Sequence, residues 1–167
     1  TVFELLCHFN RTPEKWSEFL NIDEDLEHID QFFAEAFKRV DMPGAFKMKP
    51  VRVRDTVVDL ETWDQETAQM LQRLRDRLAE VTGAKFPNHD TYPFHISFGY
   101  RLQVLSEAEE RELEACQRTL QETVLFDWGE VEMKKVDYTI FEDMSLFVPF
   151  GQVTRASLRQ QKYGTTE

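Results

Sequence analysis

Residues 92–102 read Tyr-Pro-Phe-His-Ile-Ser-Phe-Gly-Tyr-Arg-Leu, and this stretch decides the fold. Aromatic and β-branched residues with a period of two predict a β-strand, because successive strand side chains point to opposite faces of a sheet. The face expected to lie against the core carries Phe94, Ile96, Phe98, Tyr100 and Leu102. The opposite face carries His95, Ser97, Gly99 and Arg101. We therefore expect a firmly held strand that presents an imidazole, a hydroxyl and a guanidinium in one row.

This polar row suits a binding or catalytic site. The imidazole of His95 can move protons near neutral pH, because the unperturbed pKa of histidine is about 6.5. Ser97 can donate a hydrogen bond to the same ligand, and Gly99 leaves room for a ligand to approach the backbone. The alternative interpretation is the solvated outer face of an edge strand.

The sequence His-Ile-Ser-Phe-Gly-Tyr at residues 95–100 resembles the His-x-Thr/Ser motif of the 2H phosphoesterase superfamily. That superfamily contains the LigT-like cyclic phosphodiesterases and the 2′,5′ RNA ligases. The similarity extends from about Ser17 to Phe150, where the chain resembles a poorly characterised bacterial and fungal branch. It includes Phe-Pro-Asn-His-Asp-Thr-Tyr at residues 86–92 and Phe-Glu-Asp-Met at residues 141–144. The resemblance implies an α+β fold, with a bilobal pair of largely antiparallel sheets and helices packed on the outside.

The family has two such motifs, which face each other across a cleft, and the sequence contains no second intact one. His8 is followed by Asn10 where the hydroxyl should stand, and His28 lies in a predicted helix. Thr1, followed by an apolar segment, resembles the threonine of the first motif without its histidine. We therefore expect residues 1–150 to be a single LigT-like domain that is shortened at its N-terminus, and residues 151–167 to be a polar and mobile tail.

The resemblance implies a metal-independent phosphodiesterase that hydrolyses a small cyclic or 2′,5′-linked nucleotide-type phosphoester by acid and base catalysis with two histidines. The catalytic candidates are His95, Ser97 and Thr1. The substrate-binding candidates are Arg101, Tyr100, His89 and Tyr92. No cofactor or metal is expected, because no cluster of histidine and acidic residues has metal-ligand spacing. A phosphate- or nucleotide-binding module without catalysis, or a protein-interaction domain, remains open on the same fold.

The composition limits the classes of partner that we expect the chain to bind. The 167 residues carry a net charge of −11, which argues against a general nucleic-acid binder but permits a small phosphorylated substrate such as a cyclic nucleotide or an RNA end. No apolar run approaches the ~20 residues that a membrane span needs. Cys7 and Cys116 are far apart in sequence and suit free thiols in a reducing compartment, so we expect a cytoplasmic protein. We also expect a monomer.

Periodicity predicts the remaining elements. Helices are expected at residues 12–20, 25–40 and 62–82, and a fourth should begin at Ser106 with a capping box. Strands are expected at residues 1–9, 130–140 and 145–150, and residues 45–53 and 56–60 should form a hairpin. The helix after Ser106 should bury Leu113, Cys116, Leu120 and Val124. The hairpin carries the densest basic cluster, which is either a charged edge that blocks aggregation or a rim that attracts phosphate: Lys47, Lys49, Arg52 and Arg54.

Overall fold

The computed structural model describes residues 1–7, 9–144, 146–152, 155, 157 and 158. His8 and most of the expected polar tail lie outside the described residues. The chain divides into two compact units. The first comprises Thr1–Glu4, Pro43–Arg73 and Asn88–Lys134, and the second comprises Leu5–Met42, Leu74–Pro87 and Lys135–Glu167.

The first unit is built on a four-stranded sheet in which every pair of neighbouring strands is antiparallel. Its strands are β1 (Phe46–Arg54), β2 (Val57–Thr62), β3 (Phe94–Ser97) and β4 (Val131–Met133). They lie in the order β3-β2-β1-β4, so β1 and β2 are central. The predicted hairpin of β1 and β2 is confirmed.

Proline places an irregularity in this hairpin, as the sequence indicated. The register of β1 against β2 shifts between Pro50 and Arg52, because proline cannot donate a backbone hydrogen bond to a neighbouring strand. Before the shift, the buried side chains of Phe46 and Met48 alternate with the exposed side chains of Lys47 and Lys49, as predicted.

Capping residues set the helix limits. The helices are α1 (Leu26–Phe37), α2 (Gln65–Thr82), α3 (Glu107–Thr123) and the one-turn α4 (Leu125–Trp128). The carboxylate of Asp25 accepts a hydrogen bond from the backbone N–H of His28 and caps α1. Ser106 and Glu109 form the predicted capping box of α3.

Two of the predicted elements are wrong at the start of the chain. Residues 12–20 contain only a 3₁₀ turn, Pro13–Lys15, and the described part of residues 1–9 contains no strand. Short stretches give a weak periodic signal, and a strand also needs a neighbour to accept its backbone hydrogen bonds.

The buried stripe predicted for α3 is also wrong. Cys116, Leu120 and Val124 are exposed, whereas Leu113 and Gln121 are half-buried. Gln121 accepts a hydrogen bond from the N–H of Val53 and donates one to the carbonyl of Val51. The face of α3 that meets β1 is therefore partly polar, and hydrophobic periodicity cannot identify such a face.

The second unit contains β5 (Thr139–Ile140) and β6 (Val148–Pro149), which pair as an antiparallel two-stranded sheet. The predicted single strand over residues 130–140 is thus divided into β4 and β5, which belong to different sheets. Partly buried leucine and aromatic side chains pack around a core cluster of Trp16, Ile29 and Phe33.

The observed elements confirm the predicted α+β class with antiparallel sheets and helices. In the part of the chain that the structure describes, no helix has both the length and the apolar character needed to span a membrane.

Candidate functional site

The motif strand is shorter than its sequence pattern predicted. β3 covers only Phe94–Ser97, and Phe98 adds one further backbone hydrogen bond, from its N–H to the carbonyl of Thr56. Beyond Phe98, the neighbouring segment is no longer β2 but the turn that connects β1 to β2. The strand therefore stops because its partner stops, which is information that the alternation of residues 98–102 does not contain.

The predicted core face is wrong for this same reason. Phe98 is 58% exposed, Tyr100 is 48% exposed and Leu102 is 97% exposed. Phe94 and Ile96, which lie within β3, are half-buried. Strand parity assigns a face only while the chain remains in a sheet, so Gly99 and Arg101 also lose their predicted place in the polar row.

His95 is held in one tautomer by the local backbone. Its Nδ1 lies 2.9 Å from the carbonyl oxygen of Pro93. A carbonyl can only accept a hydrogen bond, so Nδ1 carries the proton and Nε2 is the basic nitrogen of the neutral ring. The ring of Tyr92 lies beside the imidazole, with 6.3 Å between their centroids. The side chain that the motif singled out is therefore oriented for proton transfer at Nε2.

Cross-strand register places further polar residues on the face of His95. In the antiparallel pairing, His95 lies opposite Asp59, which in turn lies opposite Arg52. Residues directly opposite each other point to the same face of a sheet. One row across three strands is therefore Arg52, Asp59 and His95. The adjacent row on the same face is formed by Arg54, Val57 and Ser97.

The two arginines converge on one carboxylate. Nε and Nη2 of Arg52 lie 2.9 and 2.7 Å from Oδ2 of Asp59. Nε of Arg54 lies 2.9 Å from both carboxylate oxygens. Burial of Asp59 raises its pKa, but the hydrogen bonds and charges of Arg54 and Arg52 outweigh this effect and hold the pKa below its usual value. The face thus contains a fixed carboxylate between two guanidinium groups.

Of the two interpretations of the basic cluster, the charged edge is wrong at Lys47, because Phe46–Met48 of β1 pair with β4. This pairing does not extend to Arg52 and Arg54. Lys47 forms an ion pair with Glu130 at 2.7 Å, which joins β1 to the region of β4. The hydrogen bond that Lys47 donates to Glu130 raises the pKa of Lys47. Arg52 and Arg54 form the part of the cluster nearest the motif residues.

Arg101 lies outside the polar row and is engaged by acidic side chains. Its Nε lies 2.8 Å from Asp55, and its terminal nitrogens bind both carboxylate oxygens of Glu110 on α3. These hydrogen bonds, with that of Glu110 the larger, raise the pKa of Arg101. The side chain fastens the segment after β3 to the hairpin turn and to α3, so a substrate phosphate would have to compete with two carboxylates for it.

The other predicted site residues are distributed differently. His89 is buried, in the 3₁₀ turn His89–Thr91, and packs edge-on against Phe3 with ring centroids 6.1 Å apart. Tyr92 is half-buried and contacts the ring of Phe94 as well as that of His95. Thr1 is exposed, lies outside any strand and belongs to the same unit as β3.

Sequence reasoning missed Asp59, and it placed Arg52 and Arg54 only in a basic cluster that either blocks aggregation or attracts phosphate. One signal could have found all three. Asp59 is an acidic residue between the apolar residues Val58 and Leu60, and two basic residues lie at strand spacing on the other arm of the hairpin. Their register depends on the bulge and on the turn, which the pattern alone does not supply.

Comparison with known proteins shows what the chain is similar to. The 2H-phosphodiest family model, described as a domain of unknown function (DUF1868), matches residues 1–59. A conserved protein of unknown function from Agrobacterium tumefaciens, known from a crystal structure, has a similar fold with a TM-score of 0.76 and 20% sequence identity. The similarity covers 89% of this chain but only 64% of that protein. No curated protein matches the chain.

These findings confirm the predicted similarity to the 2H phosphoesterase family, in a poorly characterised branch. The family match ends at residue 59, so it contains Arg52, Arg54 and Asp59 and does not extend to His95 and Ser97.

Proposed function

We propose that the chain is a metal-independent phosphodiesterase for a small cyclic or 2′,5′-linked nucleotide-type phosphoester. The observation that carries this proposal is the orientation of His95 by the carbonyl of Pro93, which makes Nε2 the proton-transfer atom. The similarity to 2H phosphoesterases supports the choice of a phosphoester as substrate.

The proposed reaction is an attack of water on phosphorus. A base removes a proton from the water, the bond between phosphorus and the leaving oxygen breaks, and an acid protonates that oxygen. Nε2 of His95 serves in one of these two roles. Ser97 lies two residues further on the same face of β3 and donates a hydrogen bond to a non-bridging oxygen, where negative charge grows in the transition state.

The two-histidine mechanism needs a second proton-transfer group. On the described part of the polar sheet face, His95 is the one histidine. We propose that Thr1 belongs to the partner motif, as the resemblance implies. The presence of one histidine also favours a second candidate function, in which the same face binds a phosphorylated ligand without hydrolysing it.

Phosphorus NMR on a panel of 2′,3′-cyclic nucleotides and 2′,5′-linked dinucleotides tests this proposal. Because the described face supplies one of the two proton-transfer groups, we expect slow product formation by the unsubstituted chain and a further slowing of about 10²- to 10⁴-fold in the His95→Ala variant, the usual contribution of a general acid or base. His28→Ala is the matched control, because His28 is exposed on α1 and its cap uses only the backbone N–H. Equal turnover in His95→Ala would overturn the proposal, whereas saturable binding without product would support the second candidate.

A further inference from the structure

Arg52 and Arg54 are the basic residues nearest the motif strand, and their position suggests more than a structural ion pair. Both guanidinium groups start on β1 and reach across to Asp59 on β2, the strand that lies directly beside β3. The carboxylate that they bind lies directly opposite His95 in the pairing of β2 with β3. Both guanidinium groups are therefore drawn toward the strand that carries the motif residues.

We infer that Arg52 and Arg54, positioned by Asp59, bind the non-bridging oxygens of the phosphoryl group that contacts His95 and Ser97. This inference rests on the proposed function only in taking a phosphoryl group as the ligand. It adds two binding residues and one positioning residue that the motif does not include.

The N–H groups of Arg52 and Arg54 that Asp59 does not bind support this role. Asp59 engages only Nε of Arg54, so the two terminal nitrogens of that guanidinium are not used by Asp59. On Arg52, Asp59 engages Nε and Nη2 and does not use Nη1. The side chains of Arg52 and Arg54 are 64% and 43% exposed, whereas that of Asp59 is 10% exposed. The largely buried carboxylate thus fixes both arginines, while the N–H groups that it does not bind remain accessible to a ligand.

Geometry and charge both suit a phosphoryl ligand. Arginine offers a planar set of donors that matches phosphate oxygens, with hydrogen bonds of about 2.7–2.9 Å. A tetrahedral phosphoryl group presents oxygens on several sides, so it can accept hydrogen bonds from the arginines while it faces the motif residues. Two arginines and one carboxylate carry a net charge of +1, which gives a locally cationic site in a chain of net charge −11.

The same arrangement explains why Asp59 is needed. Without a fixed anion, two neighbouring guanidinium groups repel each other and sample many rotamers, at a cost in entropy when a ligand orders them. Hydrogen bonds from both arginines to Asp59 remove much of this freedom before the ligand arrives. Asp59 is therefore a positioning residue, since it acts on the ligand only through the arginines.

The test measures binding separately from turnover. Inorganic phosphate and adenosine 2′,3′-cyclic monophosphate are titrated into the His95→Ala chain by calorimetry, so that hydrolysis does not interfere. In this background we expect Arg52→Gln and Arg54→Gln each to weaken binding about tenfold or more, the effect of losing one hydrogen bond to a charged group. Arg77→Gln is the control for net charge, because Arg77 is an exposed arginine paired with Glu80 on α2.

A second pair of variants guards against loss of the fold. Arg52→Lys and Arg54→Lys retain the positive charge beside Asp59 but lose the planar set of donors. We expect these variants to keep the thermal unfolding midpoint of the parent and still to bind phosphate more weakly. Phosphate affinity equal to that of Arg77→Gln in all four arginine variants would overturn the inference, as would the absence of phosphate binding by the parent.

The outcomes separate this inference from the proposed function. If the unsubstituted chain forms product and the arginine variants match it in both kcat/KM and phosphate affinity, the function stands and the inference fails. If no substrate is hydrolysed but phosphate binding depends on Arg52 and Arg54, the inference stands and the hydrolytic function fails.

Discussion

Asp59 is a nearly buried acid that stays ionised because its neighbours donate to it. Removing a carboxylate from water disfavours its charged form, yet the two arginines reverse this effect and the pKa of Asp59 falls below its usual value. Since folding lowers this pKa, the ionised form of Asp59 stabilises the folded chain. This contribution is complete above the ordinary pKa of an aspartate, about 3.9, and is lost as the pH falls through the lower pKa of the folded state.

Asp59→Asn should therefore reduce stability in a pH-dependent way. We expect the free energy of unfolding at pH 7 to fall by about 1–3 kcal/mol, because the arginines lose a charged acceptor. The difference from the parent should shrink below about pH 4, because the unfolded parent binds a proton there and the folded parent follows only at its lower pKa. Urea unfolding between pH 3 and pH 7 measures both quantities. Asp23→Asn, at an exposed position, serves as the isosteric control, and a difference that does not change with pH would contradict this account.

At these residues, the sequence predicted which neighbours along one strand share a face. It did not predict which residues of different strands lie opposite each other. The period of two placed His95 and Ser97 on one face, because the rule needs only that the two residues share a strand. The row of Arg52, Asp59 and His95 depends on a bulge, a turn and a crossover between distant segments. A change of one residue in any of these would move Asp59 to the opposite face.

At the scale of the elements, α2 is followed by Gly83, a position whose backbone conformation and close neighbours favour glycine. Gly83 has a φ of +65°, a conformation that side chains rarely adopt. A Cβ atom there would lie 2.9 Å from Cδ2 of Phe19, 3.0 Å from Oγ of Ser17 and 3.1 Å from the backbone nitrogen of Glu18. The backbone around it is also fixed, because the N–H of Glu18 donates to the carbonyl of Gly83 at 2.9 Å.

Gly83→Ala should therefore destabilise the chain. Backbone strain at a positive φ costs about 1–3 kcal/mol, and the close contact with a backbone atom cannot relax cheaply. Gly44→Ala is the matched control, since no atom lies within 4 Å of a Cβ at that position. We expect this control to change the free energy of unfolding by less than about 1 kcal/mol. Equal urea midpoints for the two variants would contradict the role of Gly83.

The same comparison explains which elements the sequence could predict. Helix ends were predicted well because a cap such as Ser106 or Gly83 acts within a few residues of itself. The strand after Phe98 and the apolar stripe of α3 were predicted wrongly, because both depend on what a distant segment offers. Gln121 shows this most clearly: its amide bonds β1 at Val51 and Val53, and an amide has no hydrophobic signal.

The molecule as a whole has a net charge of −11, so its acidic side chains outnumber its basic ones. Lys47, Arg101 and Arg155 are each paired with acidic side chains. A long polyanion would meet repulsion over most of such a chain, whereas one small phosphate needs only a single site. A single domain over residues 1–150, a cytoplasmic location and a monomeric state stay predictions.

Two described residues of the expected polar tail are engaged by the rest of the second unit. Leu158 is 4% exposed, and Arg155 is anchored to Asp30 of α1 within the second unit. Nε and Nη2 of Arg155 lie 2.5 and 2.8 Å from the two carboxylate oxygens, and the hydroxyl of Tyr138 lies 3.2 Å from one of them. Burial, followed by the charge of Asp30, raises the pKa of Tyr138, so the phenol remains a proton donor to that carboxylate.

Removing Arg155 should leave a buried charge without its main partner. Asp30 is 5% exposed, so Arg155→Met should lower the free energy of unfolding by about 3–5 kcal/mol. The double variant Asp30→Asn with Arg155→Met removes both charges of this pair and leaves Glu142, which lies 3.6 Å from Arg155 in the parent. It should be less destabilised than Arg155→Met alone. Arg77→Met, at an exposed ion pair, should change stability by less than about 1 kcal/mol. Urea unfolding of the parent, Asp30→Asn, Arg155→Met and the double variant completes a double-mutant cycle, and an Arg155→Met variant as stable as the parent would show that Arg155 does not anchor the second unit.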